Sequence, residues 1–175
     1  GPQVAGTAGS AVFAGGAGSK PVAIATGATL TDADGTTLQA MVVRLDAPQD
    51  GTLGWSAAAQ TAATGYGLNI ASDGATLTVT PKVGSTAAIA GFEAVLRGVQ
   101  YAFAGLITQN ASRTATVTLT DAGGAASAES VALTLTPVLC AMILKPHTGK
   151  KKRGPLAFFL HLLNFLFYFC SLLIR

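Results

Sequence analysis

A strict alternation of apolar and polar residues runs through most of the first 137 residues, and one segment breaks it. Within Thr114–Thr120, for example, Ala115, Val117 and Leu119 alternate with threonines. A two-residue period predicts strands that bury one face against a core. Ile89, Phe92, Leu96 and Val99 are instead spaced by three, four and three residues, which predicts a short helix.

Turn signals recur about every ten residues between the alternating segments, a spacing typical of a two-sheet antiparallel β-sandwich. Residues 56–67 are small and polar, so we expect a loop there. The short helix has to bury its apolar side against the sheets, and Phe92, Leu96 and Tyr101 are expected to close one end of the sandwich. The strand residues expected to point inward are Met41, Val43, Leu77, Val79, Ala115, Val117, Leu119, Val131, Leu133 and Leu135.

The charges and reactive side chains divide the chain into two dissimilar parts. Residues 1–137 carry five basic and eight acidic residues, a net charge of −3, whereas the remaining residues carry six basic residues and no acidic one. A mildly acidic domain lacks the basic surface that binding to nucleic acid requires. Every histidine and cysteine lies after residue 137, so the domain lacks the commonest catalytic bases and nucleophiles. Pairs of carboxylates remain, Asp32 with Asp34 and Asp46 with Asp50, but all four lie at predicted turns, so we expect no enzyme.

The last 38 residues differ in composition from the rest. Residues 138–154 form a linker that contains the basic cluster GKKKRG, and residues 155–175 follow as an apolar segment. Residues 156–174 are mostly Leu and Phe, and a helix of this length just crosses a bilayer core. Basic residues before a span favour the cytoplasm for its preceding side. Two explanations stay open, namely a genuine membrane anchor inserted against this rule and a non-native tail.

Four pieces of the domain together resemble a known family. They are LTDADG at Leu30–Gly35, ATLTVT at Ala75–Thr80, FEAVLRGVQY at Phe92–Tyr101 and TATVTLTDAGG at Thr114–Gly124. In order and spacing they resemble the cadherin-like repeats of large bacterial surface and adhesin proteins, and the resemblance covers roughly residues 4–137. It implies an all-β fold, a Greek-key antiparallel β-sandwich of cadherin or immunoglobulin type, in an extracellular spacer module next to other repeats of the same chain.

The resemblance also implies calcium at the ends of the module. Asp32, Asp34 and Asp121 occupy the matching strand ends, and calcium prefers six to eight oxygen ligands. Related repeats often carry an acidic residue after the first edge strand, whereas this chain has Ala14–Gly18 (AGGAG) there. The alternative is that the three aspartates only form turns by accepting hydrogen bonds from nearby backbone amides.

We therefore expect a non-catalytic structural or adhesion module at the cell surface, attached to a membrane through residues 156–174 if the tail is native. The alternative is a membrane-anchored module that binds a glycan or a cell-surface protein. In that case Trp55, Tyr66 and Tyr101 are the aromatic contacts, although Trp55 is expected primarily as a core residue.

Overall fold

The computed structural model describes residues 1–7, 11–15, 19–47, 51–105 and 107–137. The predicted linker at 138–154 and the predicted apolar helix at 155–175 lie outside the described residues. Within the described ranges, no helix combines the length and the apolar character that a membrane crossing requires.

The described residues form a mostly β structure with two short helices. The strands are β1 (Pro2–Ala5), β2 (Ala11–Ala14), β3 (Val22–Ala23), β4 (Thr29–Asp32), β5 (Thr37–Leu45), β6 (Thr52–Trp55), β7 (Leu68–Ser72), β8 (Thr76–Pro81), β9 (Ala87–Ala88), β10 (Val99–Ala102), β11 (Ala111–Asp121) and β12 (Ala126–Thr136). The helices are α1 (Ala57–Tyr66), between β6 and β7, and α2 (Ile89–Leu96), between β9 and β10.

The largest sheet follows the alternating segments. Its strand order is β2-β12-β11-β5-β8-β7, and β9 pairs with β5 beside this path. The alternation buries one face of the sheet, as predicted: all ten strand residues expected to point inward are at most 3% exposed. The threonines between them lie on the opposite face, where they are only partly buried.

The amino-terminal segment contributes to two sheets, and one of its pairings corrects the prediction. β1 pairs antiparallel with β4, whereas β2 pairs parallel with β12, from Leu133 opposite Ala11 to Thr136 opposite Ala14. The large sheet is therefore mixed and not wholly antiparallel. Between β1 and β2, Gly6 has a φ of +73° and lies so close to the backbone of Gly27 that a Cβ would be 2.2 Å from its carbonyl oxygen. Only glycine fits this position.

Helix α2 lies where the change in apolar spacing predicted it. Phe92, Leu96 and Tyr101 are fully buried, which confirms that the apolar side of this segment packs into the core. That they close one end of a sandwich stays a prediction. The ring of Tyr101 packs edge-to-face on Phe13, with the ring centroids 5.4 Å apart. The helix ends before Gly98, and β10 begins at Val99, as the sequence indicated.

The loop predicted at residues 56–67 is wrong, because this segment forms α1. Ser56 caps its amino end by accepting a hydrogen bond from the N–H of Ala59 at 3.1 Å. Gly67 ends it in the left-handed conformation with a φ of 66°. Ala59 and Ala63 are buried, and α1 packs on α2.

Candidate cation site at the start of the domain

The two neighbouring aspartates of the LTDADG segment lie at the end of β4. Asp32 is the last residue of this strand, and its Oδ1 accepts a hydrogen bond from the N–H of Asp34 at 3.2 Å. The Asp32 side chain is only 2% exposed, whereas that of Asp34 is 75% exposed. The segment is therefore a turn whose first carboxylate points inward and whose second points to solvent.

The pairing of β1 with β4 brings a positive charge to these carboxylates. Because Pro2 lies opposite Asp32, the amino group of Gly1 lies 2.8 Å from Oδ2 of Asp34 and 3.5 Å from Oδ1 of Asp32. The hydrogen bond to Asp34 is the main cause that raises the pKa of the Gly1 amino group. The pKa of the Asp34 carboxyl group is lowered, mainly by this hydrogen bond with the Gly1 amino group.

Asp121 forms the turn between β11 and β12. Its Oδ1 accepts hydrogen bonds from the N–H groups of Gly123 and Ala125, both at 2.8 Å, and the residue is only 7% exposed. The turn-forming role considered for Asp121 is thus confirmed. Its second oxygen, Oδ2, faces Gly1 and lies 4.0 Å from where a Cβ on Gly1 would be.

The three predicted site residues therefore lie around one residue, Gly1, although they do not form a closed ligand set. Among the described residues, no group of three or more His, Cys, Asp or Glu side chains is placed to hold a metal ion. The carboxylates of Asp32 and Asp34 lie close together at this corner, and both approach the backbone nitrogen of Gly1. Calcium also takes backbone carbonyls and water as ligands, and it stays a prediction here.

Two residues that the sequence did not single out hold β4 from the other side. Glu93 lies in α2 and Arg97 directly follows this helix, and Nη2 of Arg97 lies 2.7 Å from Oε1 of Glu93. The other oxygen of Glu93, Oε2, accepts a hydrogen bond from the N–H of Leu30 at 2.9 Å. Nε of Arg97 donates to the carbonyl of Ala28 at 2.8 Å. Both residues belong to the FEAVLRGVQY segment, where the spacing of an acidic and a basic residue by four was the available signal.

The aromatic residues considered for ligand binding have very different exposures. Tyr101 is fully buried, so its predicted contact with a ligand is wrong. Tyr66 is 46% exposed at the end of α1. Trp55 is partly buried against the core, and its Nε1 donates a hydrogen bond to Oε1 of Gln60 at 2.9 Å.

The second pair of carboxylates is only half described, because Asp50 lies outside the described residues. Asp46 accepts hydrogen bonds from the hydroxyl groups of Thr114 and Thr116 on the neighbouring β11. These contacts give Asp46 a role in holding the sheet together.

The chain matches no model of a known protein family, and it has no significant match among curated proteins.

Proposed function

We propose that residues 1–137 are a non-catalytic spacer module of an extracellular adhesion protein, a Greek-key β-sandwich of the cadherin-like type arranged head to tail with similar modules. The tail is proposed to attach the module to a membrane, where it is native. Calcium is proposed to bind at the Asp32, Asp34 and Asp121 corner, next to the preceding module.

The observation that carries this proposal is the position of the two ends of the domain. Gly1 lies at the end of the large sheet where β11 turns into β12, since a Cβ on Gly1 would be 3.7 Å from that of Ala125. The last residues of β12 lie at the other end, where Leu135 pairs with Ala111. At roughly 3.3 Å per residue, the strand separates these ends by about 30 Å. Such a module extends a chain of modules instead of folding it back.

The fold offers a second line of support, because the amino-terminal segment changes partners between β1 and β2. Its first strand pairs antiparallel with β4 and its second pairs parallel with the last strand, β12. A first strand shared between two sheets suits the immunoglobulin-like architecture that the sequence resemblance implies.

A fusion that places residues 1–137 directly ahead of the complete chain tests the proposal. Small-angle X-ray scattering should give an elongated particle whose two modules lie end to end. Calcium at millimolar concentration should make the particle more rigid if the aspartate corner lies at the junction. Two modules packed side by side, with or without calcium, would argue against a spacer.

Glycan or protein binding stays the second candidate, and the exposed side chain of Tyr66 favours it. Tyr66 is one of the three large apolar side chains exposed on the described surface, together with Val12 and Val83. Tyrosine is enriched at interfaces because it combines a large apolar ring with a polar hydroxyl group. A glycan array should separate the candidates, because binding that Tyr66→Ala abolishes and Val83→Ala leaves intact would favour recognition over spacing.

A further inference from the structure

The neighbours of β4 determine where the acidic turn at its end lies. Within the described residues, β4 pairs with one strand only, β1, in a sheet of two strands. On the other side, the side chain of Glu93 binds the N–H of Leu30 in β4, and the side chain of Arg97 binds the carbonyl of Ala28 directly before the strand. One edge of β4 is thus held by a strand and the other by a helix.

Helix α2 is a rigid support for this contact. Phe92, Val95 and Leu96 are fully buried, so the helix cannot move without repacking the core. The two side chains that reach β4 are also bound to each other, with 2.7 Å between Arg97 Nη2 and Glu93 Oε1. Charge-assisted hydrogen bonds are strong, so the pair restrains the backbone at Ala28 and at Leu30.

Leu30 and Asp32 connect this contact to the acidic turn. The two residues are separated by one position, so their side chains lie on the same side of β4. Leu30 is 5% exposed, and the Asp32 side chain is 2% exposed. Asp32 in turn accepts the N–H of Asp34 at 3.2 Å. A shift of β4 at Leu30 is therefore transmitted to both carboxylates.

We infer that the Glu93–Arg97 pair is the positioning element of the cation site at Asp32 and Asp34. This inference rests on the proposed calcium site. Neither side chain needs to touch the cation, because the pair acts through the backbone of β4. Its loss should weaken cation binding even in a domain that remains folded.

The decisive variant exchanges the two residues, Glu93→Arg together with Arg97→Glu, in the complete chain. Net charge and the pairing of opposite charges one helical turn apart are retained. The backbone contacts to Leu30 and to Ala28 are both lost, because position 93 no longer carries an acceptor and position 97 no longer carries a donor. A change in net charge therefore cannot account for a change in calcium affinity.

Val95→Ala is the matched control, because it destabilises the same helix and retains the Glu93 and Arg97 side chains that bind Leu30 and Ala28. NMR spectra recorded during titration with calcium chloride give the affinity of each protein, and amide hydrogen exchange gives the local stability of Leu30 relative to Val79. In the double variant at positions 93 and 97, we expect calcium binding to weaken about tenfold. The amide hydrogen of Leu30 should exchange with solvent about tenfold faster relative to that of Val79, because charge-assisted hydrogen bonds are lost. In Val95→Ala both amides should accelerate together, and the calcium affinity of the folded protein should not change.

The inference is overturned if the double variant at positions 93 and 97 keeps its calcium affinity and if the rate of amide hydrogen exchange at Leu30, relative to Val79, does not change. If the original chain itself binds no calcium, the proposed cation function fails separately. The positioning role is then judged by the amide shifts of residues 32–34. The positioning role is supported if these NMR chemical shifts change in the double variant at positions 93 and 97 but not in Val95→Ala. It is overturned if they do not change in the double variant.

Discussion

Gly98 lies against Ala59 so closely that a Cβ at position 98 would be 2.6 Å from the Cβ of Ala59. The same atom would also be 2.6 Å from the side-chain oxygen of Ser56, the residue that caps α1. The absence of a side chain at the end of α2 therefore allows the start of α1 to approach it.

Gly98→Ala should consequently destabilise the domain by about 1–3 kcal/mol, the usual cost of overpacking a core. Gly65→Ala is the matched control, because a Cβ at position 65 in α1 would meet nothing within 4 Å. That change should stabilise the domain by up to about 1 kcal/mol, since alanine favours helix more than glycine does. Urea denaturation of both variants measures the difference, and equal effects of the two changes would contradict the close packing of the helices.

Leu96→Ala tests the central position of α2. Leu96 is fully buried, so the truncation leaves a cavity in the core and should cost roughly 2–5 kcal/mol. Thermal or urea unfolding followed by circular dichroism measures this loss. A cost below about 1 kcal/mol would mean that the side chain is not enclosed as the structure shows.

The parts of the fold that could be predicted are those in which side-chain period and burial agree. β11 alternates small or branched apolar residues with threonines, and its three apolar positions from Ala115 to Leu119 are all buried. Helix α2 was recognisable because Phe92 and Leu96 are large apolar residues one turn apart. Helix α1 was missed because its buried residues, Ala59 and Ala63, contrast little with their small polar neighbours. The signals that could have identified it are its ends, Ser56 as a cap and Gly67 as a left-handed stop.

The turn role of Asp121 can be separated from any role in metal binding. Asp121→Ala leaves the N–H groups of Gly123 and Ala125 without their acceptor, and it should cost about 1–3 kcal/mol even in the presence of a calcium chelator. Asp121→Asn retains an acceptor oxygen and should cost less. Stability is measured by urea denaturation with chelator present. An alanine variant as stable as the original chain would contradict the turn role.

The candidate site could be predicted only in part, because its residues are distant in sequence. Asp32 and Asp34 were recognisable as a strand end followed by a turn, and their proximity follows from that. The approach of Gly1 depends on the pairing of β1 with β4, which no local pattern encodes. The contact between Glu93 and the N–H of Leu30 spans 63 residues, and it requires α2 to lie beside β4.

The contact between Gly1 and Asp34 should make stability depend on pH in two regions. The pKa of Asp34 is lowered in the folded chain, so its contribution is present above the ordinary value of 3.8 and is lost as the pH falls through the folded pKa. The pKa of the Gly1 amino group is raised, so its contribution is present below the ordinary value of 8.0 and is lost as the pH rises through the folded pKa. The stabilisation is therefore complete between about pH 5 and about pH 7.

Acetylation of the Gly1 amino group provides the control for this pH dependence, because it removes the ammonium charge. The difference in melting temperature between the free and the acetylated chain should be largest between about pH 5 and about pH 7 and should shrink on both sides. A difference that stays constant from about pH 3 to about pH 10 would show that the amino group and Asp34 do not interact in solution.

The ammonium group of Gly1 also competes with any cation for Asp32 and Asp34, because it lies within 3.5 Å of both carboxylates. Millimolar calcium should therefore stabilise the chain with a free amino group only weakly. Acetylation removes the competing charge and places a carbonyl oxygen nearby, so the apparent calcium affinity should rise by about threefold to tenfold. The measurement is the increase in melting temperature on adding calcium, taken separately for each form.

Asp32→Ala and Asp34→Ala in the acetylated chain should each abolish the calcium-induced increase, whereas Asp73→Ala should leave it intact. Asp73 is the matched control because it also lies at an exposed turn, where its Oδ1 accepts the N–H of Thr76 at 2.8 Å in the β7–β8 hairpin. Magnesium prefers a smaller octahedral site, so it should stabilise the acetylated chain less than calcium does. If neither the acetylated chain nor the two-module fusion melts at a higher temperature with calcium, then Asp32, Asp34 and Asp121 serve as turn residues and not as ligands.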